Sequence, residues 1–153
     1  MHVDPLDDVP GPGVSPGLTG YAGHETGYII RFTSGLTVLW TGDSGLIGDW
    51  EIQSRFYRPN LAIVHMGDLF TMGPDEAAFA VNHLIRLNTV IPEHANQVST
   101  SGGAVNPDTR VERFINQVRH AKVIVPLSGV PTSCDGEEHC TACDAEGHCT
   151  EGR

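Results

Sequence analysis

Two stretches organise this chain: residues 35–43, GLTVLWTGD, and residues 90–94, VIPEH. Each is a short apolar run of strand length, and each stops at a side chain able to bind a metal, Asp43 in the first and His94 in the second. Carboxylates and imidazoles at the ends of neighbouring strands are donors that hydrolases use to hold zinc or a related ion. Working outward, residues 26–33, TGYIIRFT, and residues 36–41, LTVLWT, are β-rich runs separated by Ser34-Gly35, which predicts a hairpin.

The elements that follow alternate. Residues 50–57, WEIQSRFY, predict a short helix that ends before Pro59, because proline restricts the residue preceding it. Residues 61–66, LAIVHM, form a continuous apolar run, the pattern of a strand covered on both faces. Gly73-Pro74-Asp75-Glu76 opens a second helix, since a first turn favours proline and negative charge. In that helix Ala77, Ala80, Val81, Leu84 and Leu87 make a core-facing stripe. After the strand at residues 89–91 and a polar loop at 95–105, Asn106-Pro107-Asp108 is expected to cap a third helix. Its apolar positions are Val111, Phe114, Ile115 and Val118. Residues 121–127, AKVIVPL, predict a final strand at an edge, where Pro126 costs no ladder bond. The order β-β-α-β-α-β-α-β implies an α/β (α+β) fold with a mixed sheet and helices on at least one face.

Composition narrows the function classes. The formal net charge is −10 and Lys122 is the only lysine, so no basic stripe exists to neutralise nucleic acid phosphates or anionic lipid. No apolar run approaches the ~18–20 residues that span a bilayer. Residues 1–23 are acidic and rich in proline and glycine, without the basic-then-apolar pattern of a signal peptide, and are expected to be loop-like. A soluble, cytoplasmic protein is the expectation.

The runs GYIIRFTSGLTVLWTGDSGLIGD, RPNLAIVHMGDLFTMGPDEAAFAV and VIPEH, in that order, resemble the C-terminal half of metallo-β-lactamase-fold hydrolases. The nearest resemblance is to the branch of metal-dependent hydrolases similar to L-ascorbate-6-phosphate lactonase. It implies a half of an αββα sandwich spanning residues 24–131, with helices on one face of the sheet. It also implies one or two ions, Zn2+ or Mn2+/Fe2+, and a metal-bound hydroxide that attacks an ester, lactone or phosphoester in a small-molecule substrate. On the same resemblance Asp43 is the bridging, catalytic carboxylate and His94 a ligand of the second ion. A further histidine is expected from Gly23-His24-Glu25-Thr26-Gly27 or from His2.

The family's H-x-H-x-D-H motif is absent from the sequence, since no two histidines stand at i and i+2. The expectation is therefore a truncated half whose uncovered sheet face is buried by homodimerisation or by a partner chain. His65 reads as a core histidine at the end of a buried strand. Asp68 reads as a loop cap or as a group that orients a ligand.

From residue 132 the composition changes. Cys134-Asp-Gly-Glu-Glu-His-Cys-Thr-Ala is followed directly by Cys143-Asp-Ala-Glu-Gly-His-Cys-Thr-Glu. This repeat places Cys134, His139, Cys140, Cys143, His148 and Cys149 within sixteen residues, a donor set suited to zinc or copper(I). Local disulfides, or an extension without a role, are the competing readings. A second functional class follows: a non-catalytic half-domain that binds metal through its tail.

Overall fold

The β-rich runs on either side of Ser34-Gly35 do pair, and they start a five-stranded sheet. Strand β3 (Tyr28–Arg31) runs antiparallel to β4 (Thr37–Trp40), with Arg31 opposite Thr37. The turn is longer than two residues, because Phe32 N–H donates to Leu36 O and Gly35 N–H to Phe32 O, with Gly35 at φ +98°. The computed structural model describes residues 26–142 other than 69, 70, 96, 128 and 138, together with the backbone of β1 (Asp4–Pro5) and β2 (Thr19–Gly20). These two short strands pair antiparallel, a ladder inside a segment expected to be loop-like over most of its length.

Helix α1 (Asp49–Tyr57) leads from β4 to β5 (Leu61–His65), and α2 (Pro74–Phe79) leads from β5 to β6 (Thr89–Glu93). Gly73 N–H donates to Glu76 Oε2, so the acids of the first turn close the end of α2 as its sequence predicts. Past Phe79 the same helix widens into a π-helical segment, Ala80–Ile85, which the side-chain pattern does not announce. Asn82 within it donates to Gln117 O and accepts from Arg119 N–H, tying it to the end of the third helix.

The loop after β6 contains a small hairpin, β7 (Thr100–Ser101) with β8 (Ala104–Val105). Helix α3 (Arg110–Gln117) is capped by Thr109, whose Oγ1 accepts from Glu112 N–H. Asp108 and Asn106 therefore stand outside the cap, one and three residues before it: Asn106 O accepts from the Thr109 hydroxyl and Asp108 N–H donates to Glu112 Oε2. Strand β9 (Lys122–Val123) closes the sheet at the edge predicted from Pro126. The sheet order is β3-β4-β5-β6-β9, antiparallel at the first pair and parallel at the rest. This is a mixed α/β fold.

The two faces of the sheet differ. Leu39, Ala62, Val64 and Val90 meet Trp50 of α1, Ala77, Val81 and Ile85 of the second helix, and Val111 and Phe114 of α3 in one buried core. All three helices lie on that face. On the other face Val38 and Leu61 are buried, and Ile30, Ile63, Ile91 and Ile124 are half-buried. Part of this second face is covered by the hairpin of β10 (Thr132–Cys134) and β11 (Cys140–Ala142). Asn60 Nδ2 donates to Gly136 O and holds the hairpin to the sheet.

A disulfide joins Cys134 to Cys140, directly opposite one another in the hairpin. It commits both sulfurs to each other rather than to a metal. His139 points its Nδ1 at Asp135 Oδ2, 3.2 Å away. Cys143, His148 and Cys149 lie outside the described residues, as do His2 and His24.

Candidate metal centre

The parallel strands β4, β5 and β6 finish side by side, and the residues at or just past their C-terminal ends form one cluster. The register sets Trp40 opposite Ile63, and His65 opposite Glu93. Because side chains alternate along a strand, Trp40, His65 and Glu93 all point to the second face of the sheet. Asp43 and His94 follow β4 and β6 on short turns. Within the group, one ligand atom each from Asp43, His65 and His94 lies within 4.8 Å of the others.

The turn carrying Asp43 is built by close approach of backbone. Gly42 has φ +64°, and a Cβ there would stand 2.2 Å from Thr26 O, so no other residue type fits without a shift. Thr41 N–H donates to Ile63 O and Thr41 Oγ1 accepts from His65 N–H, extending the β4–β5 pairing up to the site. On the other side Met66 N–H donates to Glu93 O. His94 occupies the left-handed region at φ +56°, which costs an L-residue about 1–2 kcal/mol and aims its side chain back over the strand ends.

Distances define the cluster. His65 Nε2 lies 3.0 Å from Asp43 Oδ1, and His94 Nδ1 lies 3.6 Å from the same oxygen. The two imidazoles meet edge to face, with centroids 5.4 Å apart. Two donors bound tetrahedrally to one zinc at about 2.0–2.1 Å stand roughly 3.4 Å apart, so these spacings suit a shared cation. The site has a buried wall and an open mouth: the His65 side chain is 10% exposed, whereas those of His94 and Asp43 are 43% and 64% exposed. Three nitrogen and oxygen donors with one side open is the pattern of a catalytic rather than a structural zinc site.

The structure places Asp43 and His94 side by side, and it adds His65 to them. A histidine closing an apolar strand reads as core when the strand is taken alone. The available signal was positional, since His65 ends the strand that pairs between the one leading to Asp43 and the one leading to His94. Asp68 turns at φ +63° and faces Arg110, its Oδ2 3.8 Å from the guanidinium. It therefore belongs to the loops beside the site. His83 packs on Phe79, centroids 4.6 Å apart, and Met72 is fully buried.

The chain is similar in sequence to proteins named as metal-dependent hydrolases. The chain is 42% identical over 118 residues to a UPF0173 metal-dependent hydrolase of Cupriavidus necator, a match covering 77% of this chain and 40% of that relative. It is also 42% identical over 86 residues to one from Pelotomaculum thermopropionicum, covering 56% of this chain and 37% of the relative. The chain thus spans about two fifths of the length of these curated relatives. Among solved structures, Igni18, a metallo hydrolase of Ignicoccus hospitalis, overlays with a TM-score of 0.47 at 25% identity, covering 82% of this chain and 55% of that one. No family profile matches the chain.

Proposed function

We propose that this chain is a segment of a metal-dependent hydrolase of the metallo-β-lactamase superfamily and that Asp43, His65 and His94 together hold a divalent cation. The convergence of three donors from the ends of three adjacent parallel strands carries this reading. The sequence likeness to UPF0173 metal-dependent hydrolases supports it. Zn2+ suits two imidazoles and a carboxylate, Fe2+ accepts the same donors, and Mn2+ leans more on the carboxylate oxygen.

A cation bound there would supply a nucleophile from water near neutral pH and polarise an ester, lactone or phosphoester. The chain's own residues do the rest. Asp43 reaches both histidines from a rigid glycine turn, His65 closes the buried side, and His94 stands at the exposed rim where a small-molecule substrate enters. The second sheet face, with Tyr28 and Trp40 exposed beside half-buried Ile63, Ile91 and Ile124, supports the homodimer or complementary half expected from the sequence.

Incubating the full chain with Zn2+ or Mn2+ and a panel of aryl esters, lactones and phosphoesters tests the activity. The expected result is metal-dependent turnover that Asp43→Asn abolishes. Turnover equal in Asp43→Asn and the parent would refute it. Sedimentation velocity tests the assembly, and a lone monomer at tens of micromolar would remove the homodimer.

A further inference from the structure

His65 has a carboxylate at each ring nitrogen, and this symmetry is chemically demanding. Nε2 lies 3.0 Å from Asp43 Oδ1, and Nδ1 lies 3.2 Å from Glu93 Oε1. A neutral imidazole carries one N–H, so it donates to one carboxylate and turns a lone pair toward the other. For a neutral ring, that second contact becomes favourable with a cation between the two groups.

The surroundings decide which nitrogen bears the proton. Nδ1 is buried, and Glu93 Oε1 is its near acceptor, at ion-pair distance although the ring is turned out of hydrogen-bond alignment. A buried N–H left without an acceptor is costly, which favours a small ring rotation toward that oxygen. Glu93 is itself anchored: Trp40 Nε1–H donates to the same Oε1, and Met66 N–H donates to the Glu93 carbonyl. The Trp40 ring lies nearly parallel to the His65 ring, centroids 6.4 Å apart and planes 15° apart. Nε2 is then the nitrogen left facing Asp43 and His94.

We infer that Glu93 is a positioning residue for the metal centre: it accepts a hydrogen bond from Nδ1–H of His65, is held for that task by the Trp40 indole, and so presents the Nε2 lone pair to the cation. The arrangement crosses three strands on one sheet face: His65 on β5 stands level with Glu93 on β6, and Trp40 on β4 stands one same-face position lower, opposite Ile63. It rests on the cation site proposed above. An outer carboxylate of this kind fixes the histidine tautomer, and losing one typically weakens metal binding by about 10–100-fold.

The test uses the full chain labelled with nitrogen-15. Long-range proton–nitrogen spectra of the imidazole rings, with His65 assigned through His65→Gln, report the tautomer in metal-free protein. Zinc titration reports affinity in parallel. The expected result is an Nδ1–H tautomer of His65 in the parent, and zinc binding weakened about 10–100-fold in Glu93→Gln with the single tautomer lost. Trp40→Phe keeps a ring over His65 but removes the indole donor, and its affinity is expected to fall between the two. An Nε2–H tautomer in the parent overturns the inference, as does unchanged zinc affinity in Glu93→Gln. A parent chain that binds no zinc removes the cation site instead, and the tautomer spectrum then still decides whether Glu93 sets His65.

Discussion

Replacing Gly42 by alanine tests whether the Asp43 turn depends on backbone-to-backbone contact. Two costs are set by the structure. The φ of +64° places an L-residue in the left-handed region, about 1–2 kcal/mol. The new Cβ would start 2.2 Å from Thr26 O, and since real Cβ atoms do not approach below 3.0 Å, the Thr26 backbone must retreat by about 0.8 Å. Forcing such a retreat in packed structure costs about 1–3 kcal/mol. The total is about 2–5 kcal/mol, a large share of a typical stability of about 5–15 kcal/mol. Gly45 is the control, because a Cβ there meets nothing within 4 Å and its φ is not left-handed. In urea unfolding, Gly42→Ala should lower the midpoint by roughly 1–2 M at an ordinary slope, while Gly45→Ala stays near the parent. Zinc affinity should fall in Gly42→Ala alone, because Asp43 follows Gly42 directly. A Gly42→Ala protein within about 0.5 kcal/mol of Gly45→Ala would refute the reasoning.

Three further outcomes follow from the structure. Phe114→Ala, at a fully buried position between α3 and the sheet, should cost about 3–5 kcal/mol by thermal or urea unfolding. Cys134→Ser with Cys140→Ser removes a cross-link of seven residues and should lower stability by about 2 kcal/mol, with more binding of a hydrophobic dye as Leu36, Val38 and Leu61 lose their cover. The Gln117 amide and then the Arg113 guanidinium hold the Asp75 carboxyl below its ordinary pKa of 3.8. Its contribution is therefore present above that value and is lost as pH falls through the lowered one, so Asp75→Asn should flatten the acid limb of the stability–pH curve.

Much of this architecture was legible because its signals are local. Apolar runs bounded by Ser34-Gly35, Pro59 and Gly73-Pro74 marked β3 through α2 in order, and Pro126 placed β9 at the edge. Asp43 and His94 stood out because each follows a strand and carries a metal-capable side chain. What stayed hidden depends on register between strands. His65 sits at the level of Glu93 only because β5 and β6 pair as they do, and Trp40 reaches Glu93 only across β5. No spacing within one strand encodes either contact. The π-helical segment at Ala80–Ile85 and the folding of the β10–β11 hairpin onto the second sheet face likewise arise from packing between distant segments.

The central claim is that Asp43, His65 and His94 form one cation site. Metal content per chain, measured by native mass spectrometry under oxidising conditions after zinc loading, tests it most directly. The account predicts zinc in the parent and its loss in Asp43→Ala and in His65→Ala, with Cys143→Ser and Cys149→Ser together leaving that ion in place. Zinc retained in full by Asp43→Ala, and lost only with the tail cysteines, would contradict it.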